Sequence, residues 1–415
     1  MRIVIATAVY YPMINGVAVF SHTLAVGLAA RGHEVMVIAP SQTGKSYTRI
    51  VDGVKTCYLK SVEAKVYPDQ IHTVPEKKKW FGIKLPRIVY KYGFRVSLFP
   101  TREVKKLLDG FQPDVVHVQV SDPIGLSVVS YARKHDIPVV TTEHNQPEVI
   151  TEPLHVPGVI KKPIEALLSA YFVNRQSKSD FVTMPTEKAI RELIYKRKAD
   201  FGVPVAAVSN GVDLAAFKPG RADAGVYHKY GLNAEAVTFL YLGRVDPEKN
   251  VGRVIDAYVM MRKKVPGDVK TQLVIVGDGV DKPRLMERAA DRMDVYFLGR
   301  IVPPELYNIY RLGDVFVTAS EIETQGIVLI EAAACGLPLI AVNKGAVSEV
   351  CQNDKNGFLC EPGNVMEMAE AMRTLAMDAT LRERFGKESL KIAGEHDFER
   401  TLDKFENIYR KVVKQ

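Results

Sequence analysis

Ser320-Glu321-Ile322-Glu323-Thr324-Gln325-Gly326-Ile327-Val328-Leu329-Ile330-Glu331-Ala332-Ala333-Ala334-Cys335-Gly336-Leu337-Pro338 follows an apolar run, Val315 to Thr318, that reads as a buried parallel strand. Gly326 to Cys335 reads as the helix leaving that strand. The spacing places Glu323 where the strand opens into the helix and Glu331 two turns deeper. A helix start leaves its first N–H groups unpaired, so Gly326, Ile327 and Val328 offer an anion site flanked by two carboxylates able to bind hydroxyls. A nucleoside diphosphate sugar carries hydroxyls, anionic phosphates and a ribose in that order. The competing reading of the segment alone is an ordinary strand–helix unit with two solvated glutamates.

The 415 residues, 47% of them hydrophobic, suffice for two buried cores. Met1-Arg2 leads straight into the strand-like Ile3-Val4-Ile5-Ala6, which does not read as a signal peptide, and no apolar run reaches the ~18 residues needed to span a bilayer. A cytoplasmic protein is expected. The four cysteines, Cys57, Cys335, Cys351 and Cys360, lack metal or disulfide spacing and are expected as small core residues. The formal charge of +8 is unevenly placed. Between Glu76 and Arg95 one acid meets seven bases, the only tryptophan and four other aromatics. Lys77, Lys78, Lys79, Trp80, Phe81, Lys84, Arg87 and Lys91 are therefore candidates to face an anionic membrane, against the alternative of a solvated loop and helix. No nucleic-acid-binding motif accompanies the basic stretch, and nucleic acid is not expected as a partner.

Strand and helix signals alternate along the chain, the pattern of parallel sheets covered by helices on both faces. Strands are expected at Ile3 to Thr7, Val35 to Ile38, Val115 to Val118, Val139 to Thr142 and Phe181 to Met184. A second series runs through Val237 to Leu242, Leu273 to Val276, Val295 to Leu298, Val315 to Thr318 and Leu339 to Val342. The architecture implied is α/β, two doubly wound Rossmann-like halves with ligands beyond the carboxyl ends of the strands. The seam falls between Pro204 and Pro219. Residues 1–205 would form one domain and 206–395 the second. A C-terminal helix over 396–415, with its apolar stripe at Leu402, Phe405, Ile408 and Val412, would cross back to the first.

Four further strand exits carry candidate chemistry. Asn15-Gly16 enters the first helix without the GxGxxG of a dinucleotide site, which weakens a nicotinamide or flavin reading. Arg244 and Lys249 bracket the exit of the strand Val237 to Leu242 and suit a diphosphate, the alternative being two surface cations of which one meets Glu248. Gly277 and the pair Arg300-Ile301 close the next two strands, where a base or ribose would lie if Glu331 holds ribose hydroxyls. His144, in Thr142-Glu143-His144, can hydrogen-bond a sugar or acceptor hydroxyl, or be a packed histidine. Neither a nucleophile–base pair nor an Asp-x-Asp metal site stands out.

Taken together, Asn15-Gly16, Thr142 to His144, Asn210-Gly211-Val212-Asp213, Gly243-Arg244 with Lys249, Gly277-Asp278-Gly279 and the Glu323/Glu331 pair resemble the retaining nucleotide-sugar glycosyltransferases of the GT-B fold, family 4. The resemblance covers nearly the whole chain. It implies an acceptor domain followed by a donor domain, facing each other across a cleft. It also implies that Arg244 and Lys249 neutralise the diphosphate and that Glu323 holds the donor sugar. Gly326 and Ile327, with Val328, would give N–H bonds, Glu331 would bind ribose, Gly16 would approach the diphosphate and His144 would line the sugar pocket. No metal cofactor is implied, and the leaving phosphate would take the acceptor's proton.

Glu323-Thr324-Gln325-Gly326 together with Asn15-Gly16-Val17 looks closest to the branch that glucosylates diacylglycerol. Many relatives carry a bulky aromatic where Gln325 stands and a second glycine where Asn15 stands. The expected reaction is transfer of glucose from UDP-glucose to a lipid at the inner membrane face. A soluble acceptor such as a sugar or inositol phosphate, or a GDP-mannose donor, is the alternative. A nucleotide-sugar 2-epimerase would need acid–base carboxylates and a histidine over the sugar, which are not evident. A non-catalytic nucleotide-sugar binder is the third class.

Overall fold

The computed structural model describes residues 1–13, 15–63, 70–73, 79–80, 83–84, 89–92, 94–120, 122–144, 158–193 and 201–414. The chain divides into two compact units. One comprises Met1–Pro185, Glu192–Val208 and Leu402–Gln415, the other Thr186–Arg191 and Ser209–Thr401.

In the first unit β1 (Arg2–Ala6), β2 (Glu34–Pro40), β3 (Tyr47–Val51) and β4 (Val54–Leu59) come first. Three short antiparallel pairs follow: β5 (Val62–Glu63) with β10 (Arg95–Val96), β6 (Gln70–Thr73) with β9 (Val89–Tyr92), and β7 (Lys79–Trp80) with β8 (Ile83–Lys84). The loop-and-helix alternative for the basic stretch therefore meets short strands where its backbone is described. Lys77, Lys78, Phe81 and Arg87 lie outside the described residues, and of Lys79, Trp80, Lys84 and Lys91 only the strand backbone is described. The chain then adds β11 (Val115–Val118), β12 (Val139–Thr142), β13 (Phe181–Met184) and β14 (Val205–Ala207), giving the sheet order β14-β13-β12-β11-β1-β2-β4-β3. All neighbours in it are parallel except β3 and β4.

The apolar strands are near-continuous because both faces are covered: Ile3, Val4 and Ile5 are wholly buried. Helix Gly16–Ala30 starts because the Asn15 side chain accepts the Ala18 N–H at 2.9 Å. The stripe on helix Phe398–Val413 is buried at Leu402, Phe405, Ile408 and Val412. Its part from Leu402 onward belongs to the first unit, where Asp403 accepts from Arg31 at 2.7 Å and Glu406 pairs with His33 at 2.8 Å.

The second unit holds β15 (Val237–Leu242), β16 (Thr271–Val276), β17 (Val295–Gly299), β18 (Val315–Val317), β19 (Leu339–Val342) and β20 (Gly357–Cys360). Their order, β17-β16-β15-β18-β19-β20, is wholly parallel, and the direction of winding reverses between β15 and β18. Ligands of such sheets bind beyond the carboxyl ends of the strands at that reversal. The exits of β17, β16, β15 and β18 carry Arg300, Gly277, Arg244 and Glu323, so adjacency in the sheet sets these residues along one edge.

Three of those exits, after β15, β16 and β17, touch backbone to backbone. Gly243 N donates to Val276 O at 3.0 Å, Val245 N to Asp278 O at 2.9 Å, and Gly277 N to Gly299 O at 2.9 Å. A Cβ on Gly277 would stand 1.8 Å from Gly243 O. A backbone oxygen cannot rotate away, so Gly277→Ala is expected to destabilise the second unit by about 1–3 kcal/mol in urea denaturation. Gly267→Ala, whose added Cβ meets nothing within 4 Å, serves as the comparison and is expected to change stability by no more than about 0.5 kcal/mol.

Candidate active site

Lys249 ends the short 3-10 turn Pro247–Lys249 that follows β15. Its ammonium has three hydrogens, and three acceptors stand around it: Glu323 Oε1 at 2.7 Å, Ser320 Oγ at 3.2 Å and Ile322 O at 3.3 Å. The structure thus brings together the cation of one exit and the first glutamate of the next. Both side chains are less than a fifth exposed, which keeps their attraction from being screened as a surface pair would be.

Arg244 meets acids of its own loop. Its guanidinium donates to Asp246 and to Glu248, so the alternative contact with Glu248 is present and a second carboxylate joins it. Below this loop the Tyr241 phenol donates to Arg244 O at 2.6 Å. Burial raises the Tyr241 pKa, and the Glu323 carboxylate raises it further, which sets Tyr241 among Glu323, Arg244, Asp246 and Glu248.

The helix after β18 runs Ile327–Ala334, and Gly326 caps it with φ 77°, a left-handed conformation that suits glycine. This corrects one expectation: Glu331 lies four residues past Ile327, about one turn into the helix rather than two. The N–H groups of Gly326, Ile327 and Val328 make no hydrogen bond among the described residues, as expected of a helix start. Glu321, in the same exit loop of β18, accepts from Arg253 at 2.5 Å and Lys344 at 3.0 Å. Burial alone would raise its carboxyl, but these two cations outweigh that and hold it below its ordinary value.

Glu331 is partly buried, and the Tyr310 hydroxyl donates to its Oε2 at 2.5 Å. Lost hydration pushes its carboxyl up to about 7, against which the Tyr310 bond pulls only weakly. Ile301, Ile327 and Val328 border one apolar cluster that contains Tyr310 and Ile330. Arg300 follows β17, and burial lowers its pKa.

In the first unit, Asn15 and Gly16 open the first helix and His144 follows β12. His144 is 6% exposed; its Nε2 lies 2.8 Å from Gln119 Oε1, and its ring meets Phe20 edge-on at 5.3 Å. Beside it His117 is held by Thr142 Oγ1 at 2.6 Å and Tyr409 Oη at 2.7 Å. Burial depresses both imidazoles to about 3, so both are neutral at physiological pH. His117, Gln119, Tyr241, Tyr310 and Tyr409 carry no motif of their own. Only their positions near strand ends and apolar stripes could have pointed to them.

Among the described residues no cluster of three or more His, Cys, Asp or Glu side chains is placed to hold a metal, and no helix is long and apolar enough to cross a membrane. The four cysteines are free and buried.

Comparison with known proteins matches residues 14–216 to the glycosyltransferase family 4 model and residues 227–392 to that of glycosyl transferases group 1. The α-monoglucosyldiacylglycerol synthase of Acholeplasma laidlawii is 28% identical over 371 residues, covering 86% of this chain and 84% of that protein. The glycogen synthase of Mycobacterium tuberculosis is also 28% identical, over 395 residues, covering 92% and 88%. Sucrose-phosphate synthase from Thermosynechococcus elongatus superposes with a TM-score of 0.74 at 18% identity over 99% of both chains, a likeness of fold.

The raised Glu331 carboxyl has a consequence for stability. The folded chain holds this proton between the ordinary value of 4.5 and about 7, so the contribution is complete below 4.5 and is lost as pH rises through 7. Glu331→Gln is expected to raise the melting temperature at pH 8 by several degrees and to leave it unchanged at pH 4, as read by scanning calorimetry. An equal shift at both pH values would exclude a titrating Glu331.

Proposed function

The chain belongs to the family 4, group 1 glycosyltransferases of GT-B fold, and from that premise we propose that it moves glucose from a UDP-linked donor to the hydroxyl of a lipid such as diacylglycerol, with retention of configuration. The observation that carries the donor half is the Lys249–Glu323 contact at the winding reversal, next to the open start of helix Ile327–Ala334. Phosphate oxygens replace Glu323 as partners of Lys249 and accept from the N–H groups of Gly326, Ile327 and Val328. Glu323, released from the cation, accepts from hydroxyls of the sugar. Glu331 takes the ribose hydroxyls, and Arg300 and Ile301 lie along the base. Arg244 adds charge to the diphosphate from its place above Tyr241.

The reaction breaks the bond between the sugar C1 and the phosphate oxygen and forms one from C1 to the acceptor oxygen. The acceptor's proton passes to the departing phosphate. Attack on the face that the phosphate leaves retains the configuration and needs no protein nucleophile. Lys249, Arg244 and the helix N–H groups carry the charge stabilisation, so no metal is required in this reading. The first unit takes the acceptor, where neutral His144, held through Nε2 by Gln119, would meet a hydroxyl and Asn15-Gly16 opens the first helix.

A lipid acceptor is supported by the likeness to the Acholeplasma laidlawii synthase and by the basic, aromatic composition of residues 77–95. Association with the membrane would then be peripheral and cytoplasmic. A soluble acceptor or a GDP-mannose donor is the second reading. The equal identity to a glycogen synthase favours a soluble acceptor.

Purified protein given UDP-glucose and vesicles containing diacylglycerol and an anionic lipid is expected to form a glucosylated lipid and to float with the vesicles. Consumption of a soluble sugar acceptor with no glycolipid and no flotation would favour the second reading. Glu323→Gln is expected to lower kcat by about 10–100-fold with little change in donor KM, and Glu331→Ala to raise donor KM by a similar factor, the range of one hydrogen bond to a charged group. The opposite pattern would mean that the donor lies the other way round.

A further inference from the structure

Gln325 separates Glu323 from the helix start at Gly326, and it is 1% exposed. Its Oε1 accepts the Asn210 N–H at 3.0 Å, and its Nε2 donates to Ser209 Oγ at 2.6 Å. Ser209 Oγ also accepts from Gly211 N at 3.1 Å and lies 2.9 Å from His396 Nδ1. With both lone pairs of the hydroxyl in use, its proton points to the histidine nitrogen, and the serine is saturated. The residue before Gln325 is held as well, since Thr324 O accepts from Thr186 Oγ1 at 3.2 Å. Ser209 O in turn accepts from Thr401 Oγ1 at 3.0 Å.

Thr186, Ser209 and Thr401 are residues at which the chain passes between its two units. The short loop that contains Glu323 is thus tied by side-chain bonds to the segments entering and leaving the second unit. A loop needs no such ties in order to pack; its backbone could be satisfied by turns or by water. The ties act on the segment whose position decides where the Glu323 carboxylate stands. Asn210, whose N–H Gln325 holds, also keeps its Oδ1 buried with no hydrogen-bond partner among the described residues.

We propose that Gln325 is a positioning residue: through Ser209 and Asn210 it fixes the Glu323 carboxylate where the donor's sugar is recognised, and it ties that recognition to the segments by which the chain enters and leaves the second unit. The proposal rests on the donor reading given above. It predicts that the sugar end of the donor, and not its nucleotide end, senses the clamp, because Glu331 and Tyr310 lie outside it.

The test uses Gln325→Met, which keeps the volume and removes both bonds, and Ser209→Ala, which removes one partner without touching the loop. Affinity for UDP and for UDP-glucose is measured by calorimetry on the full chain, together with kcat and donor KM. In Gln325→Met, UDP affinity is expected within twofold of wild type, the affinity difference between UDP-glucose and UDP to change at least fivefold, and kcat to fall at least tenfold. Ser209→Ala is expected to move the same quantities in the same direction, and the double variant to be no worse than Gln325→Met, as for two members of one hydrogen-bonded unit. Wild-type kcat and an unchanged sugar increment in both variants would overturn the proposal. So would equal losses for UDP and UDP-glucose that follow the melting temperature, which is what a merely structural role gives. If the wild type itself binds neither ligand, the donor reading fails and the proposal with it; if the wild type binds and transfers while the variants match it, only the proposal fails.

Discussion

The ion pair between Lys249 and Glu323 is the interaction on which the second unit's edge depends. Two charges less than a fifth exposed would each cost several kcal/mol if left alone, and pairing at 2.7 Å with two further acceptors removes most of that cost. Because the pair links the exits of β15 and β18, it holds the carboxyl edge of the sheet at the point where the winding reverses. In the proposed reaction it also keeps a cation and a carboxylate in place for groups of opposite need, an anionic phosphate and a hydroxylated sugar. Neighbouring charges repeat the pattern at lower stakes, with Arg244 on Asp246 and Glu248, and Glu321 between Arg253 and Lys344.

The first unit solves a different problem. Its strand ends bury neutral polar groups, and each finds a partner of its own kind: His117 between Thr142 and Tyr409, His144 on Gln119. Desolvation keeps both rings uncharged, so these two histidines offer hydrogen bonds without charge. Tyr409 belongs to the last helix, which makes that helix a structural part of the first unit from Leu402 onward.

Much of this was legible in the sequence where chemistry and periodicity are local. The parallel strands read as apolar runs because helices cover both faces, and the expected ranges for β11, β12, β13, β15 and β19 agree with the structure. The β3–β4 hairpin carries its turn signal in Asp52-Gly53, at φ 46° and 81°, but polar alternation on an edge strand conceals its strands. The strand β20 opens on a glycine, a residue of low β propensity, which hides it from a local pattern. Among site residues, the type and loop of Lys249 and Glu323 were readable, but not that they pair. Partners fixed by long-range packing were not readable at all: Tyr310 lies 21 residues from Glu331, and Ser209 lies 116 from Gln325. Distances of that kind are set by tertiary structure, which no local pattern encodes.

In the proposed reaction this paired edge exchanges its internal partners for those of a nucleotide sugar. A crystal structure of the chain with UDP-glucose tests it most directly. The diphosphate is expected within hydrogen-bond distance of Lys249 and the N–H groups of Gly326 to Val328, with Glu323 on sugar hydroxyls and Glu331 on the ribose. A Lys249–Glu323 contact left intact, with the ligand bound elsewhere or with its ribose on Glu323, would contradict it.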